Sequence, residues 1–546
     1  MFEEKSNSIP RVDFFSLASN YGRILSRKNN AIRALLVLLL VSTSVWLLYS
    51  KPWTVTSLSQ DALGDKTAAD TVNETSQSKE KSWRTDLNDT INSRSSAFTR
   101  EQFTESAISK NGLIPVTAVL LGWKRLEGLQ TVVSYISKYP FIKEIIVWNN
   151  NNNIRLNSER DFNLNNTDAV LHVFNSDENL HDLSKYTTCA MAKYDYCYFQ
   201  DDDWLNLYMD SIYSNFLKSP NLIHSNTMPI IHLEHRRWTF TNADKKLHTG
   251  FTWLGCGSFV PRAKVQQFLR QVGSSAMPRD RLRLIDMYFS LWTNQYPYQL
   301  SNPLTPLDQG GAWSTGVDQW AIVYANILDA VQRLFKALAV NTGSEYFVRD
   351  EERPLFNNRD VRAPCANDKC LFLTSIDSFP SPRNVYYANN ITHVHEQEAK
   401  FNQLNFPSND FWDKHAYHTA VDTDDNTCWN SFRNPRSGDY FGLQFVVPRK
   451  FNKITLTSSK DIIKYDASFN IHISDNGRVW KTCNRRNLTD KENEEYLSNS
   501  HINSITIYFD CGTKGEEPTR FVKISTSRTF PEPLEICSIK LDGLEV

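Results

Sequence analysis

The chain has 546 residues, which is enough for two or three domains, and its formal net charge at pH 7 is -1. A near-neutral chain has no global positive field to attract nucleic acid, so nucleic-acid binding is set aside as the main function. Nine cysteines are too few for a small disulfide scaffold, and no Cys-x-x-Cys pair indicates structural zinc.

The amino-terminal region predicts a membrane anchor. Residues 34–53 are nearly continuously apolar and reach the length needed to span a thin bilayer. Only Lys51 follows closely, whereas four basic residues precede the stretch: Arg23, Arg27, Lys28 and Arg33. The positive-inside rule places residues 1–33 in the cytoplasm and the bulk of the chain in a lumen. A cleaved signal peptide is the alternative, but no small-residue cleavage pattern follows.

Residues 54–110 predict a flexible stem. They are rich in Ser, Thr, Asp, Lys and Gln, and too few large apolar side chains are present to offset the chain entropy lost on folding. Potential N-glycosylation sequons begin in this segment and continue beyond it, at Asn73, Asn88, Asn165, Asn390 and Asn487. Together with an anchor, these sequons fit exposure to the secretory lumen.

Residues 111–340 have the pattern of an α/β domain. Short apolar runs typical of strands alternate with helical spacing, in the order strand 115–121, helix 126–136, strand 144–148, strand 171–174 and strand 194–199. Strand, helix, strand is the opening of a doubly wound, Rossmann-like parallel sheet. Helical spacing over residues 321–338 closes this domain.

Three adjacent carboxylates, Asp201, Asp202 and Asp203, follow the fourth predicted strand. The carboxyl edge of such a sheet is where ligands bind. The crowded negative charge needs relief, and Mg²⁺ or Mn²⁺ with its preference for oxygen ligands is a natural counter-ion. The alternative is a solvated acidic turn.

Residues 341–420 are rich in Pro, Asn and charge and predict an irregular connector, with Cys365 and Cys370 close enough to join by a disulfide. Residues 421–546 differ, because short alternating runs recur with turn residues between them. Asp475, Asn476 and Gly477 form a strong hairpin signal. This region predicts an all-β sandwich.

Five segments of the α/β region resemble the exostosin-like retaining glycosyltransferases. The segments LLGWKRLEGL, KEIIVWNNN, YFQDDDW, LGCGSFVPRAKVQQF and LIDMYFS occur in that family's order and approximate spacing, across residues 114–339. The resemblance implies a GT-A fold, Mn²⁺ (or Mg²⁺) as cofactor and a uridine-diphosphate (UDP) sugar as donor. It also implies transfer with retention of configuration, often of N-acetylhexosamine.

The resemblance assigns nucleotide-binding roles to residues that follow the first strands. Arg125 stands where the family's arginine contacts the nucleotide, although an exposed arginine at a helix start explains it equally well. Asn149 and Asn150 stand where the family reads the uracil edge, a task that suits amides because they donate and accept. Lys185 stands where a basic residue neutralises the diphosphate, and a solvated helix lysine is the alternative.

The resemblance also assigns the metal and catalytic roles. Asp203 is the expected direct metal ligand, with Asp201 beside it, and Asp201 and Asp202 lie nearer the ribose and the sugar. Asp286 stands where the family places a carboxylate beside the anomeric carbon, to stabilise oxocarbenium-like charge or assist the acceptor hydroxyl. Residues 310–320 depart from the family, because its late His and Arg are missing.

DNTCWNSFRNPRSGDYFGLQF resembles the opening of discoidin-type, galactose-binding-like domains, which fold as jelly rolls. The resemblance implies a disulfide between Cys428 and Cys537, and Cys483 with Cys511 forms a second candidate pair in an oxidising lumen. Cys189, Cys197 and Cys256 stay unassigned. Such domains often bind glycans, and a structural appendage that packs on the catalytic domain is the equal alternative.

The sequence as a whole predicts a single-pass type II Golgi membrane glycosyltransferase that uses a metal and a UDP-sugar to modify a glycan or glycoconjugate acceptor. Whether it forms a homodimer is left open. The alternative is a non-catalytic carbohydrate-binding or adhesion glycoprotein with a degenerate transferase domain. A glycoside hydrolase with a glycan-binding module is less favoured, because a metal-type acidic triplet contributes nothing to its chemistry.

Overall fold

The computed structural model describes residues 113–162, 164, 167–227, 238–301, 303–307, 319–340, 362–376, 385–387, 414–486, 503–512 and 518–541. All of them belong to one structural unit, Arg84–Val546. The predicted cytoplasmic tail, membrane anchor and stem, residues 1–110, lie outside the described residues. Within the described ranges, no helix combines the length and apolar character that a membrane span requires.

The first seven elements of the amino-terminal part, from Val116 to Gln200, alternate between strand and helix, as predicted. The strands are β1 (Val116–Gly122), β2 (Ile142–Asn149), β3 (Val170–Asn175), β4 (Tyr196–Gln200), β5 (Trp204–Leu205), β6 (His224–Thr227), β7 (Thr239–Asn242), β8 (Leu247–Gly250), β9 (Ser258–Pro261), β10 (Tyr298–Ser301) and β11 (Thr305–Pro306). The helices are α1 (Leu126–Ile136), α2 (Ser158–Asp161), α3 (Leu183–Met191), α4 (Met209–Lys218), α5 (Arg262–Ser274), α6 (Asp286–Trp292) and α7 (Gln319–Ala339). Two 3₁₀ segments cover Ala243–Lys245 and Arg279–Leu284.

Strand β1 lies inside a mostly parallel sheet. It pairs in parallel with β2 and β4, and β2 pairs in parallel with β3. The order continues as β3-β2-β1-β4-β9-β6-β10, with β9 antiparallel to both β4 and β6. Val119 packs into a core on one face of the sheet, and Ala118 and Leu120 pack into a core on the other. A strand that is buried on both faces has apolar side chains throughout, and this continuous apolar run allowed β1 to be predicted from the sequence.

The predicted connector contains strands that continue the same sheet. They are β12 (Arg362–Pro364) and β13 (Cys370–Thr374), and β14 (Val385–Tyr386) pairs separately with β7. Strand β12 pairs with β10, and β13 pairs with β12 and with the first long strand of the carboxyl-terminal region. Leu371 and Val446 pack into the core of the α/β part. The two regions therefore share one sheet of 13 strands instead of meeting through an irregular linker.

The carboxyl-terminal region is all-β, which confirms the predicted class. Its strands are β15 (Trp429–Asn430), β16 (Tyr440–Arg449), β17 (Lys453–Thr457), β18 (Phe469–Ser474), β19 (Lys481–Thr482), β20 (Asn484–Arg485), β21 (Ser504–Asp510), β22 (Thr519–Thr526), β23 (Glu535–Ile536) and β24 (Ser538–Leu541), with 3₁₀ segments at Tyr417–Ala420 and Ile463–Ser468. Strands β16, β22 and β18 extend the large sheet, and β20-β21-β17-β24 form a second one. Phe441, Leu443, Ile454 and Leu456 meet in the core that these sheets share.

The predicted hairpin and disulfides are confirmed in this region. Strands β18 and β19 pair antiparallel on either side of the predicted turn, and Gly477 adopts a left-handed φ of 70° there. Disulfides join Cys365 to Cys370, Cys428 to Cys537 and Cys483 to Cys511. A fourth disulfide, not anticipated from the sequence, joins Cys189 of α3 to Cys197 of β4, and Cys256 is a buried free thiol.

Candidate functional site

A cavity of about 770 Å³ opens at the carboxyl ends of β1, β2 and β4. Of the residues singled out in the sequence, six line it: Arg125, Asn150, Asp201, Asp202, Asp203 and Asp286. Asn149 and Lys185 do not line it. The strand ends thus bring together the residues that follow β1, β2 and β4, and helix α6 adds Asp286 from much later in the chain.

Two glycines let the backbone close tightly around the acidic triplet. A Cβ at Gly255 would lie 1.8 Å from Oδ2 of Asp201, and a Cβ at Gly128 would lie 2.1 Å from the carbonyl oxygen of Asp202. The backbone N–H of Asp201 donates to the carbonyl of Gly255 at 2.7 Å. Because any side chain at these positions would displace the triplet, the glycines determine where its carboxylates lie.

Arg125 binds two of the three carboxylates. Its guanidinium lies 2.5 Å from Oδ1 of Asp202 and 3.2 Å from Oδ2 of Asp203. Burial raises the pKa of Asp202 to about 7, although the charge of Arg125 acts in the opposite direction. Burial and the neighbouring charge of Asp201 raise the pKa of Asp203. Arg125 is therefore the protein's own counter-charge for a crowded acidic cluster, and not an exposed arginine at a helix start.

Asp286 is held by two residues of α3. Its Oδ1 accepts a hydrogen bond from the hydroxyl of Tyr186 at 2.6 Å, and its Oδ2 accepts from Nζ of Lys185 at 3.2 Å. Nζ of Lys185 also lies 3.3 Å from Oδ1 of Asp201. The buried ammonium of Lys185 thus connects Asp201 of the triplet to Asp286 and orients both of these carboxylates.

Lys185 is buried, with 1% of its side chain exposed. Burial lowers its pKa, but the charges of Asp201, Asp286 and Asp182 outweigh burial and hold the pKa above its ordinary value. The ammonium therefore stays charged at neutral pH. Since it contacts carboxylates and lies behind the cavity wall, its position is that of a structural bridge and differs from the solvent-facing and diphosphate-facing positions that the sequence suggested.

The two predicted asparagines are used differently. The Nδ2 group of Asn149 donates to the carbonyls of Asn151 and Ile154 and to Oδ1 of Asn175, so its amide supports the loop after β2. Asn150 lines the cavity, where its Nδ2 donates to the hydroxyl of Ser184 at 3.1 Å. Neighbouring residues at a strand end point to opposite sides, which explains why only one of the pair reaches the cavity.

Several cavity residues were not identified from the sequence. They are Trp123, His181, Asp182, Arg281 and Arg283. Burial and the charge of Asp286 raise the pKa of Asp182 well above its usual range. Trp123 follows β1 within a segment already singled out, so its position carried a signal. The others come from loops and a 3₁₀ segment, whose approach to the cavity depends on tertiary packing.

The triplet suits a hard divalent ion in part. The described residues contain no group of three or more His, Cys, Asp or Glu side chains arranged to hold a metal. Burial, and after it repulsion from Asp201, raise the pKa of Asp203, and a bound cation would relieve the repulsion. Magnesium-type ions are commonly bound by one or two carboxylates plus substrate phosphates. Asp201 and Asp203 therefore fit such an ion when a substrate supplies further oxygens.

Comparisons with known proteins find similarity to carbohydrate-binding modules of family 32. A module from Clostridium perfringens, in complex with GalNAc-β-1,3-galactose, is 13% identical over 23% of this chain and 83% of the module, with a TM-score of 0.17. The family 32 module of C. perfringens NanJ, in complex with galactose, is 15% identical over 23% of this chain and 85% of the module, with a TM-score of 0.17.

A third similar structure is the family 32 module of AlyQ, in complex with 4,5-unsaturated mannuronic acid. It is 13% identical over 23% of this chain and 84% of the module, with a TM-score of 0.16. No family model and no curated protein sequence matches the chain. Similarity at these identities and TM-scores supports no statement about the function of this chain.

Proposed function

We propose that this protein is a metal-dependent glycosyltransferase with a GT-A fold. It transfers a sugar from a UDP-sugar to a glycan or glycoconjugate acceptor with retention of configuration. The observation that carries the proposal is the meeting of the acidic triplet and Asp286 in one cavity at the carboxyl edge of a mostly parallel sheet. Such an edge is the usual ligand site of this architecture, and the resemblance to exostosin-like enzymes gives the same residues their roles.

The cavity offers a surface for each part of a nucleotide-sugar. Arg125 and Asn150 line the cavity at the ends of β1 and β2, the positions that the resemblance assigns to the nucleotide. Asp201 and Asp203 are the residues that would hold Mn²⁺ or Mg²⁺. Such an ion, when bound, supplies Lewis-acid neutralisation of the charge on a departing diphosphate. Nucleotide and metal then have adjoining places on one side of the cavity.

Asp286 is the residue best placed to act on the sugar. Asp286 is 4% exposed and lines the cavity, and each oxygen of its carboxylate accepts a hydrogen bond, one from Tyr186 and one from Lys185. A carboxylate held in this way keeps a fixed orientation without reorganisation during the reaction. Its negative charge would stabilise the positive charge that develops at an anomeric carbon.

The carboxyl-terminal sandwich and the compartment are part of the same proposal. A shared sheet and a shared core between the sandwich and the α/β part support a structural role for the sandwich, with glycan binding as an additional role that its predicted jelly-roll class suggests. Disulfides in both parts suit an oxidising lumen. We assign the protein to the Golgi membrane as a single-pass type II glycoprotein, with its catalytic part in the lumen.

The proposal is tested by donor turnover. The full-length protein is incubated with Mn²⁺ and a panel of UDP-sugars, including UDP-N-acetylhexosamines, and release of UDP is measured with and without glycan acceptors. We expect turnover of at least one donor, a loss with chelator, and a loss of about 100-fold or more in Asp203→Asn. Asp177→Asn is the matched control, because Asp177 is an exposed partner of Arg155. If no donor is turned over, the protein belongs instead to the non-catalytic carbohydrate-binding class.

A further inference from the structure

A second group of charges lines the cavity besides the acidic triplet. Arg281 and Arg283 belong to the 3₁₀ segment Arg279–Leu284, which leads directly into α6 and Asp286. Arg279, two residues earlier, does not line the cavity. The segment thus presents two arginines to the cavity on the side where Asp286 lies.

Neither arginine forms an ion pair with a carboxylate in the part of the chain that the structure describes. Arg281 donates from its guanidinium to Oδ1 of Asn326, a buried neutral amide whose Nδ2 in turn donates to the carbonyl of Leu284 at 3.1 Å. Arg125 and Lys185, by contrast, are each bound to two carboxylates.

The charge of Arg283 acts on His181, another residue that lines the cavity. Burial lowers the pKa of His181, and the charge of Arg283, which lines the same cavity, lowers it further. His181 is therefore largely neutral at pH 7. Arg281 and Arg283 are left as cations with donors to offer, anchored through Asn326 on one side and adjoining a neutral imidazole on the other.

If the cavity binds an anionic substrate, cations such as Arg281 and Arg283 are needed to balance the charge. Its lining contains six aspartates against three arginines, and one of those three, Arg125, is already bound to the triplet. The ionised carboxylates of the lining would repel a diphosphate unless a metal ion and further cations offset them. Guanidinium groups suit the task, because their planar donors match phosphate oxygens in pairs.

We propose that Arg281 and Arg283 bind the β-phosphate of the nucleotide-sugar, the phosphate that carries the sugar. This inference rests on the proposed function for the identity of the ligand. The β-phosphate is favoured over the α-phosphate because the arginines adjoin Asp286 along the chain, whereas Arg125 and Asn150 lie at the strand ends assigned to the nucleoside. The arginines hold the leaving group on the sugar side of the cavity.

The test compares UDP with UMP, which lacks the β-phosphate. Calorimetric titrations with Mn²⁺ are made on the full-length wild-type protein, on Arg283→Ala, on the double variant Arg281→Ala/Arg283→Ala, and on Arg279→Ala as the matched control from the same segment. We expect the affinity for UDP to fall by about 10-fold in the single variant and further in the double variant. The affinity for UMP should change by less than about threefold, and Arg279→Ala should match the wild type.

The single variant guards the test against a folding artefact, because Arg283 is exposed and the hydrogen bond to Asn326 comes from Arg281. UDP binding in Arg283→Ala equal to that of Arg279→Ala would overturn the inference, and so would an equal loss for UDP and UMP. A wild-type protein that binds UDP but turns over no UDP-sugar would overturn the proposed function alone. A wild-type protein that binds no UDP with Mn²⁺ would overturn both.

Discussion

Nζ of Lys185 donates to Oδ2 of Asp286 at 3.2 Å, although 101 residues separate the two in the chain. The bond joins α3 to α6, and the disulfide between Cys189 and Cys197 joins α3 to β4, the strand that leads into the acidic triplet. One buried lysine thus ties both acidic parts of the cavity to a common helix. A change at Lys185 is therefore expected to affect the whole site.

Replacing Lys185 by Met leaves the buried carboxylate of Asp286 without its ammonium partner. Breaking one side of a buried ion pair typically costs about 3–5 kcal/mol, because the remaining charge stays desolvated. We expect a loss of this size in the free energy of unfolding, measured by guanidinium denaturation at pH 7. Lys193→Met is the matched control, because Lys193 is exposed just beyond the same helix and should change stability by less than about 0.5 kcal/mol. Equal stability of the two variants would contradict the bridging role.

Much of this arrangement is local in the sequence and was predictable. Helix α1 covers Leu126–Ile136, the range that its apolar spacing predicted, because Leu129, Val132, Val133 and Ile136 all face the core. The triplet follows β4 directly, so its place at the sheet edge needed only the strand to be recognised. The hairpin between β18 and β19 carries its own turn residues, which specify it without tertiary information.

Other features depend on contacts that no local pattern contains. Asn149 and Asn150 are chemically identical neighbours, and only the direction of the strand end decides that Asn150 reaches the cavity. The burial of Lys185 depends on a helix that begins 101 residues later. Strand β13 was missed within the predicted connector, because it is short and becomes a strand through its partners β12 and β16. Tertiary pairing overrides composition in such segments.

Asp286 and its hydroxyl partner give a graded prediction for catalysis. Asp286→Asn keeps the shape but removes the negative charge, and we expect kcat with the preferred donor to fall by about 100-fold or more with little change in KM. Tyr186→Phe removes one hydrogen bond to the carboxylate and leaves Lys185 in place, so kcat should fall by about 10-fold or less. Steady-state kinetics of UDP release measure both. A larger loss in Tyr186→Phe than in Asp286→Asn would contradict the role assigned to Asp286.

Asp368 stabilises the contact between the connector and the α/β part. Its carboxylate accepts hydrogen bonds from the backbone N–H groups of Asp210 at 2.8 Å and Ser211 at 2.9 Å, in the first turn of α4. Asp368 also has a left-handed φ of 58°. Asp368→Ala loses the cap and strains the backbone, so we expect a loss of about 2 kcal/mol in unfolding free energy.

Two further variants separate the causes at Asp368. Asp368→Gly loses the cap but accepts the positive φ, and Asp368→Asn keeps an acceptor oxygen and tolerates the left-handed region. Thermal unfolding should therefore rank the proteins as wild type, then Asn, then Gly, then Ala. If Asp368→Gly were as stable as the wild type, the hydrogen bonds to α4 would contribute no more than the strain that glycine relieves at this φ.

His418 gives the sandwich a predictable dependence on pH. Burial lowers its pKa to about 4 from an ordinary value of 6.5, and within the described residues no hydrogen-bond partner meets its Nδ1. The folded state therefore favours the neutral imidazole, and its stabilisation is complete above pH 6.5 and is lost as pH falls from 6.5 toward 4. We expect this residue alone to cost about 2 kcal/mol of unfolding free energy by pH 4.5.

The variant His418→Phe tests this expectation. It cannot take up the proton, so its denaturation midpoint should fall less steeply between pH 6.5 and pH 4 than that of the wild type. At pH 8, where the imidazole is neutral in both states, the difference between the two proteins reports packing alone and serves as the reference. Parallel pH profiles for the two proteins would show that His418 is not protonated on unfolding and would contradict its burial.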